Sequence, residues 1–152
     1  MMNKKNNRSV IASNKKARHL YIFSDFLEAG MALTGPEIKS LRAGQVNFRD
    51  SYVDFRNNEA WLVGLHIAPY ANAGYVPQDP DRTRKLLLHA GEIRRWAAQV
   101  DQKGMTVVPV CLYFKHGKVK LEIALARGKK LYDHRDEMKR RAEERDMERE
   151  IG

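Results

Sequence analysis

Cysteine and long apolar runs are scarce in this sequence of 152 residues. The single cysteine, Cys111, has no second cysteine with which to form an internal disulfide or a zinc knuckle, so we expect a small buried hydrophobe. No apolar run approaches the roughly 18 residues that a membrane-spanning helix needs, and the basic start lacks the apolar stretch of a secretory signal. We therefore expect one soluble, cytoplasmic domain with no membrane association.

Motifs that carry catalysis are also missing. The sequence contains no G-x-x-x-x-G-K-[ST], no G-x-G-x-x-G and no G-x-S-x-G, which are typical of nucleotide-binding and hydrolase sites. The five histidines are scattered, without the spacing of a metal site. Carboxylates such as Glu28, Glu37 and Asp50 fall near turns and a helix start. Capping of backbone N–H groups explains their presence there more simply than acid–base catalysis does. The sequence therefore predicts no catalytic residues, no metal and no cofactor, and the protein is not expected to be an enzyme.

Acidic residues are absent from the first 18 positions, which carry six lysines and arginines of the overall net charge of +9. Residues 129–152 contain eight bases and eight acids and are neutral as a whole. The remaining charge of about +3 lies in the middle of the chain, around "DRTRK" and "EIRRW". Aromatic residues adjoin several of the bases, as in "YFKHGK". This arrangement favours an RNA partner, since bases bind phosphates and rings stack on unpaired bases.

The pattern in the middle of the chain predicts a largely β-structured core. "RHLYIFSDF" reads as a strand, and "DSYVDFRNNEAWLV" and "MTVVPVCLYFKHGKVKLEIAL" read as hairpins that turn at "NN" and "HG". Pro109 within the second hairpin indicates an edge or a bulge. Thr34 and Glu37 predict a helix start, and "GEIRRWAAQVDQKG" has helical periodicity. We predict mainly β structure with flanking α-helices, in a small closed or nearly closed antiparallel barrel.

The C-terminal segment has the composition of a helix but no face that could be buried. Met138 and Met147 would lie on opposite sides of a helix, and no apolar stripe of useful width forms. Favourable charge pairs at i,i+4 add only about 0.2–0.5 kcal/mol each. We therefore expect a tail that is disordered when free and helical only against a partner. The predicted divisions are a basic, flexible arm (residues 1–13), an RNA-binding β-barrel (14–127) and this tail (128–152).

Several stretches resemble one known family. "NKKARHLYIF", "SLRAG", "DSYV", "RTRKLLL" and "GKKLYDHR" occur in the same order in the SsrA-binding protein (small protein B, SmpB) family, and the resemblance covers residues 14–135. It implies a small antiparallel β-barrel that resembles an OB-fold, with flanking helices. It also implies an adaptor of trans-translation that binds the tRNA-like domain of transfer-messenger RNA (tmRNA) and promotes its aminoacylation. The partners it implies are tmRNA, the stalled ribosome, and, through tmRNA, alanyl-tRNA synthetase and elongation factor Tu with GTP. We expect a monomer.

The resemblance also implies which residues act. The implied contacts to tmRNA are Asn14, Arg18, Glu28, Lys85 and Leu87. We add the neighbouring bases Lys16 and Arg84 to this RNA-binding set, and we expect phosphate contacts at Arg84 and Lys85. The tail would occupy the decoding centre and the empty mRNA channel of the small ribosomal subunit, with small-subunit rRNA as its partner. The tail residues implied are Gly128 as a pivot, Lys129, Lys130, Tyr132 as a stacking residue, Asp133, His134 in place of the family's usual lysine, and Arg135.

Two alternatives remain open at this point. The first is another ribosome-associated RNA chaperone or assembly factor built on an OB-like barrel, which would also bind RNA. The second is an RNA-processing or RNA-modifying enzyme. Selective binding of tmRNA over bulk tRNA distinguishes the first alternative from the adaptor, and turnover of RNA in the presence of a divalent metal would reveal the second.

Overall fold

Antiparallel strands account for most of the fold. The structure is a computed structural model that describes residues 8–75 and 77–129. Among these residues, no helix is both long and apolar enough to cross a membrane. The elements in chain order are β1 (Arg8–Ser13), α1 (Lys15–Leu20), β2 (Tyr21–Met31), α2 (Gly35–Arg42), β3 (Val46–Asn47), β4 (Tyr52–Arg56), β5 (Glu59–Val63), β6 (His66–Ile67), β7 (Arg84–Leu87), α3 (Ala90–Lys103), β8 (Thr106–Lys115) and β9 (Lys118–Gly128).

Seven of the strands form one curved sheet in the order β1-β8-β9-β2-β7-β5-β4, and β3 pairs separately with β6. The prediction of a mainly β fold with flanking helices is confirmed, but the sheet is not a closed barrel. Strand β4 comes close to β8 without pairing with it. The reason is that both hydrogen-bonding edges of β8 are already taken, one by β1 and the other by β9.

Both predicted hairpins are confirmed. Asn57 and Asn58 link β4 to β5 with φ values of 52° and 60°, and His116 and Gly117 link β8 to β9 with φ values of 52° and 76°. Positive φ at both turn residues matches the twist of antiparallel strands. The register of β8 shifts between Pro109 and Cys111, which confirms the predicted bulge.

The inner face of the sheet carries the core. Along β9 the alternate residues Val119, Leu121, Ile123 and Leu125 are all buried, as their spacing predicts. Helix α3 covers this face and buries Trp96 together with Ile93. Cys111 is also buried, as predicted, and belongs to a smaller cluster on the outer face of the sheet.

Helix α2 begins as the sequence predicts. The Thr34 side chain accepts a hydrogen bond from the Glu37 backbone N–H at 3.3 Å, and the Glu37 Oε1 accepts one from the Thr34 N–H at 2.8 Å. These two bonds satisfy donors that a helix start leaves without partners inside the helix. The capping carboxylate is itself buried, which the sequence alone did not indicate.

The N-terminal region differs from the prediction in two ways. Residues 8–13 form β1 and pair with β8, from Arg8 opposite Lys115 to Ser13 opposite Cys111, so they belong to the sheet rather than to a flexible arm. The predicted strand starting at Arg18 begins instead as the short helix α1. The Asn14 side chain starts this helix by accepting a hydrogen bond from the Ala17 N–H at 3.1 Å, and Ala17 packs against the sheet.

Candidate nucleic-acid interface

A groove of about 630 Å³ lies where β2, β7 and β9 meet the start of α3. Glu28, Lys85, Leu87 and Lys120 line it, together with residues of the β4–β5 turn and of the first turn of α3. Three of these four side chains are among the residues implied by the family resemblance. Strand pairing therefore brings together predicted site residues that lie far apart in the sequence.

Alternation along β7 decides which of its side chains face the groove. Arg84 and Leu86 are buried on the inner side, whereas Lys85 is half-buried and Leu87 is 55% exposed. Leu87 pairs with Gly30 across β2, and a Cβ at Gly30 would lie only 3.3 Å from the Leu87 Cβ. A side chain larger than hydrogen at position 30 would thus crowd the wall of the groove.

The Glu28 carboxylate is one of three acidic groups in the groove, which also contains Glu59 and Glu92 beside the two lysines. It accepts a hydrogen bond from the Tyr113 hydroxyl, and the Lys115 Nζ lies 3.3 Å from its Oε2. These contacts differ from the capping role that the sequence suggested for Glu28. The Tyr113 hydrogen bond lowers the pKa of Glu28 and outweighs the opposing effect of burial, and Lys115 and Lys120 add to the lowering. Glu28 is therefore an ionised acceptor that can bind amino or imino groups of a base.

Lys120 is a groove residue that sequence reasoning did not single out. Lys120 belongs to β9 and lies opposite Gly30 of β2. None of the ion pairs between described residues involves it. Lys85, by contrast, pairs with Glu59 at 2.9 Å. The sequence did contain a signal for Lys120, because the strand alternation that buries Val119 and Leu121 places it on the opposite face of β9. A lysine that forms no close ion pair with a described residue can bind a phosphate, even though Glu28 lies in the same groove.

Arg84 does not have the position that a phosphate contact requires. Its side chain is fully buried, and its guanidinium donates to the Glu37 Oε2 at 2.6 Å and to the backbone oxygens of Leu65, Pro80 and Arg82. The expectation of a phosphate contact at Arg84 is therefore corrected. The phosphate contact is still expected at the neighbouring groove residue, Lys85.

Asn14, Lys16 and Arg18 lie at the start of α1 and within it, and this helix packs on β8 and β2; none of the three lines the groove. The Asn14 amide is buried; its Nδ2 donates to the Pro109 oxygen at 2.8 Å while its Oδ1 caps α1. Lys16 pairs with Asp50 at 2.7 Å, and Arg18 is exposed. The structure thus separates these residues from the groove and gives Asn14 a role in holding α1 on the sheet.

Two of the predicted tail residues fall within the part of the chain that the structure describes. Gly128 is the last residue of β9 and pairs with Tyr21, and the Lys129 Nζ donates to the Arg18 backbone oxygen at 3.1 Å. The strand therefore extends one residue beyond the boundary predicted at 127. The remaining predicted tail residues lie outside the described residues: Lys130, Tyr132, Asp133, His134 and Arg135.

Comparison with known proteins identifies the family of this chain. The family model described as SmpB protein matches residues 11–152. The SsrA-binding protein of Nitratidesulfovibrio vulgaris is 69% identical over 143 residues, which cover 94% of this chain and 93% of that protein. The SsrA-binding protein of Lawsonia intracellularis is 61% identical over 150 residues, covering 99% of this chain and 97% of that protein.

A solved structure agrees with these relatives. It is described as "tmRNA-SmpB: a journey to the center of the bacterial ribosome", and one of its chains is 49% identical to this one with a TM-score of 0.66. The match covers 78% of this chain and 83% of that chain. The family model, the relatives and the shared fold agree, and the chain therefore belongs to the SmpB protein family.

Proposed function

We propose that this protein is an RNA-binding adaptor of trans-translation. In this role it binds the tRNA-like domain of tmRNA, promotes its aminoacylation by alanyl-tRNA synthetase, and delivers it with elongation factor Tu and GTP to stalled ribosomes. Two relatives named SsrA-binding protein, at 69% and 61% identity, support this proposal, as does the solved structure described as tmRNA-SmpB.

The observation that carries the proposal is the groove. It combines a lysine that forms no ion pair with any described residue, an exposed leucine and an ionised carboxylate in one depression of about 630 Å³. Lysine binds phosphate, leucine supplies an apolar contact to a base or sugar, and the carboxylate accepts from a base. This combination suits a folded RNA with an exposed base better than it suits a uniform duplex backbone.

The second half of the proposal concerns the tail. From Lys130 onward the sequence has good helix formers but no apolar stripe, so a groove in ribosomal RNA is a more suitable partner than the protein's own core. We propose that this segment becomes helical in the empty mRNA channel. Tyr132 would stack on a base of the decoding centre, and Lys129, Lys130 and Arg135 would bind rRNA phosphates.

Filter binding at a fixed, stated salt concentration tests the adaptor role. The RNAs compared are tmRNA, its isolated tRNA-like domain and bulk tRNA. We expect tighter binding to the first two, since shape and an exposed base distinguish them. Equal affinity for all three RNAs would contradict the proposal and favour a general RNA chaperone. Cleavage or modification of the RNA by the purified protein would contradict it in favour of an enzyme.

Lys120→Ala tests the groove itself. If Lys120 binds a phosphate, the variant should bind the tRNA-like domain about tenfold more weakly at about 0.1 M salt, and the slope of log affinity against log salt should fall by about 1. Lys103→Ala is the matched control, because Lys103 is an exposed lysine at the far end of α3. Equal behaviour of the two variants would remove the groove from the proposal.

A further inference from the structure

Tyr113 reaches across the outer face of the sheet to the groove. It belongs to β8, pairs with Lys120 of β9, and donates its hydroxyl to the Oε2 of Glu28 on β2. Because neighbouring strands lie about 4.8 Å apart, this contact spans about 10 Å and passes over β9. Its two ends are separated by 85 positions in the sequence.

The Tyr113 ring has little freedom to move. Its side chain is 1% exposed, and the Arg8 guanidinium lies over the ring at 3.8 Å from the centroid. Arg8 also approaches Glu122, with its Nη1 3.9 Å from the Glu122 Oε2. The ring is thus held between the sheet and a cation, an arrangement that is favourable in itself. The hydroxyl is fixed in position as a consequence.

This arrangement constrains the Glu28 carboxylate without using all of its acceptor capacity. An ionised carboxylate can accept about four hydrogen bonds. Tyr113 takes one on Oε2, and the Lys115 Nζ lies 3.5 Å from Oε1 and 3.3 Å from Oε2. The side chain is still 38% exposed toward the groove. The carboxylate therefore has a defined orientation and keeps lone pairs for a ligand.

We propose that Tyr113 is a positioning residue for RNA recognition, which holds Glu28 as a hydrogen-bond acceptor aimed into the groove while Arg8 secures the ring. This inference rests on the proposed function of the groove. The RNA group that binds Glu28 is an N–H donor on the edge of a base. An ionised carboxylate only accepts hydrogen bonds, and it repels phosphate. Tyr113 would prevent the long side chain from sampling other rotamers before the RNA arrives.

A purely structural role makes a different prediction. If Glu28 only satisfies a buried hydroxyl, removing that hydroxyl changes the stability of the protein and leaves RNA binding and its pH dependence unaltered. If Tyr113 positions Glu28, its removal changes both. The Tyr113 hydrogen bond is the largest cause of the lowered pKa of Glu28, so without it the carboxylate takes up a proton at higher pH.

Tyr113→Phe tests this difference, because phenylalanine keeps the buried ring and removes only the hydroxyl. Binding of the tRNA-like domain of tmRNA is measured at fixed salt from about pH 4 to about pH 8. We expect about tenfold weaker binding near pH 7 and an onset of affinity loss at higher pH than in the wild type. Tyr52→Phe is the control, since it removes the hydroxyl of a tyrosine that is 45% exposed on β4. It should match the wild type.

Glu28→Gln completes the experiment. Alone it should weaken binding and remove the part of the pH dependence that comes from Glu28. Combined with Tyr113→Phe it should bind no more weakly than by itself, because Tyr113 acts through Glu28. Additive losses, or wild-type affinity and pH profile in Tyr113→Phe, would overturn the positioning role alone. Failure of the wild type to prefer this RNA over bulk tRNA would overturn the proposed function, and the positioning role with it.

Discussion

Glu37→Ala is expected to lower the free energy of unfolding by about 3–5 kcal/mol, because it leaves a buried guanidinium without its counter-charge. The Glu37 carboxylate accepts from Arg84 Nε at 2.6 Å and from Arg82 at 2.7 and 3.2 Å. Arg84 is fully buried, and its other donors bind backbone oxygens only. Urea unfolding at neutral pH, followed by circular dichroism, measures the loss.

Two further variants separate this effect from general surface electrostatics. Glu59→Ala removes an exposed ion pair with Lys85 and should cost no more than about 1 kcal/mol. The double variant Glu37→Met with Arg84→Met should recover a large part of the loss, because apolar groups of similar volume often replace a buried ion pair without penalty. If Glu37→Ala cost no more than Glu59→Ala, the buried pair would have no special importance for stability.

The same carboxylate determines part of the acid sensitivity. Burial alone would raise the pKa of Glu37, but hydrogen bonds from Arg82, Thr34 and Arg84 outweigh it and lower the pKa below the usual 4.5. A lowered folded pKa means that the stabilisation is present above the unfolded value and is lost as pH falls through the folded value. The free energy of unfolding of Glu37→Gln should therefore depend less on pH below about 4.5 than that of the wild type. An unchanged pH dependence of unfolding at acidic pH would contradict this role of Glu37.

The buried pair also links stability to the groove. Glu37 lies in the first turn of α2, and Arg84 is the first residue of β7. Because side chains alternate along a strand, anchoring Arg84 inside fixes Lys85 and Leu87 on the groove side. Arg84 therefore holds the wall of the groove in register from inside the core.

Local signals in the sequence were sufficient for the features that depend on neighbouring residues. The "NN" and "HG" turns, the Thr34 cap and the alternation from Val119 to Leu125 each involve positions within a few residues of one another. Turn geometry, capping and burial periodicity are set at that range. These predictions were therefore correct to within a residue or two.

Features that depend on distant partners were missed or misread. Residues 8–13 looked like a basic arm, because the β8 strand that pairs with them lies about 100 positions later. Arg84 looked like a surface base, because its counter-charge is 47 positions earlier. Glu28 and Leu87 were placed in the site only by family resemblance, since sequence spacing does not reveal that β2 and β7 are neighbours. Charge alone could not distinguish a buried cation from an exposed one.

Deletion of residues 130–152 is expected to abolish peptide tagging on stalled ribosomes and to leave the affinity for tmRNA within about twofold of the wild type, a change of about 0.4 kcal/mol. The groove residues Glu28, Lys85 and Lys120 all precede the cut. Ending the chain at Lys129 keeps its hydrogen bond to the Arg18 oxygen, so the contact between the end of β9 and α1 is retained. Filter binding and tagging of a translated message without a stop codon measure the two effects.

Point variants within the tail serve as the matched control for this deletion. Tyr132→Ala and Arg135→Ala should each reduce tagging while leaving the midpoint of thermal unfolding unchanged, because in the proposed function both side chains act on rRNA and not on the core. A large drop in the unfolding midpoint would show that the tail packs on its own sheet. A parallel loss of tmRNA affinity in the deletion would contradict the proposed division of labour, in which the groove binds tmRNA and the tail binds the ribosome.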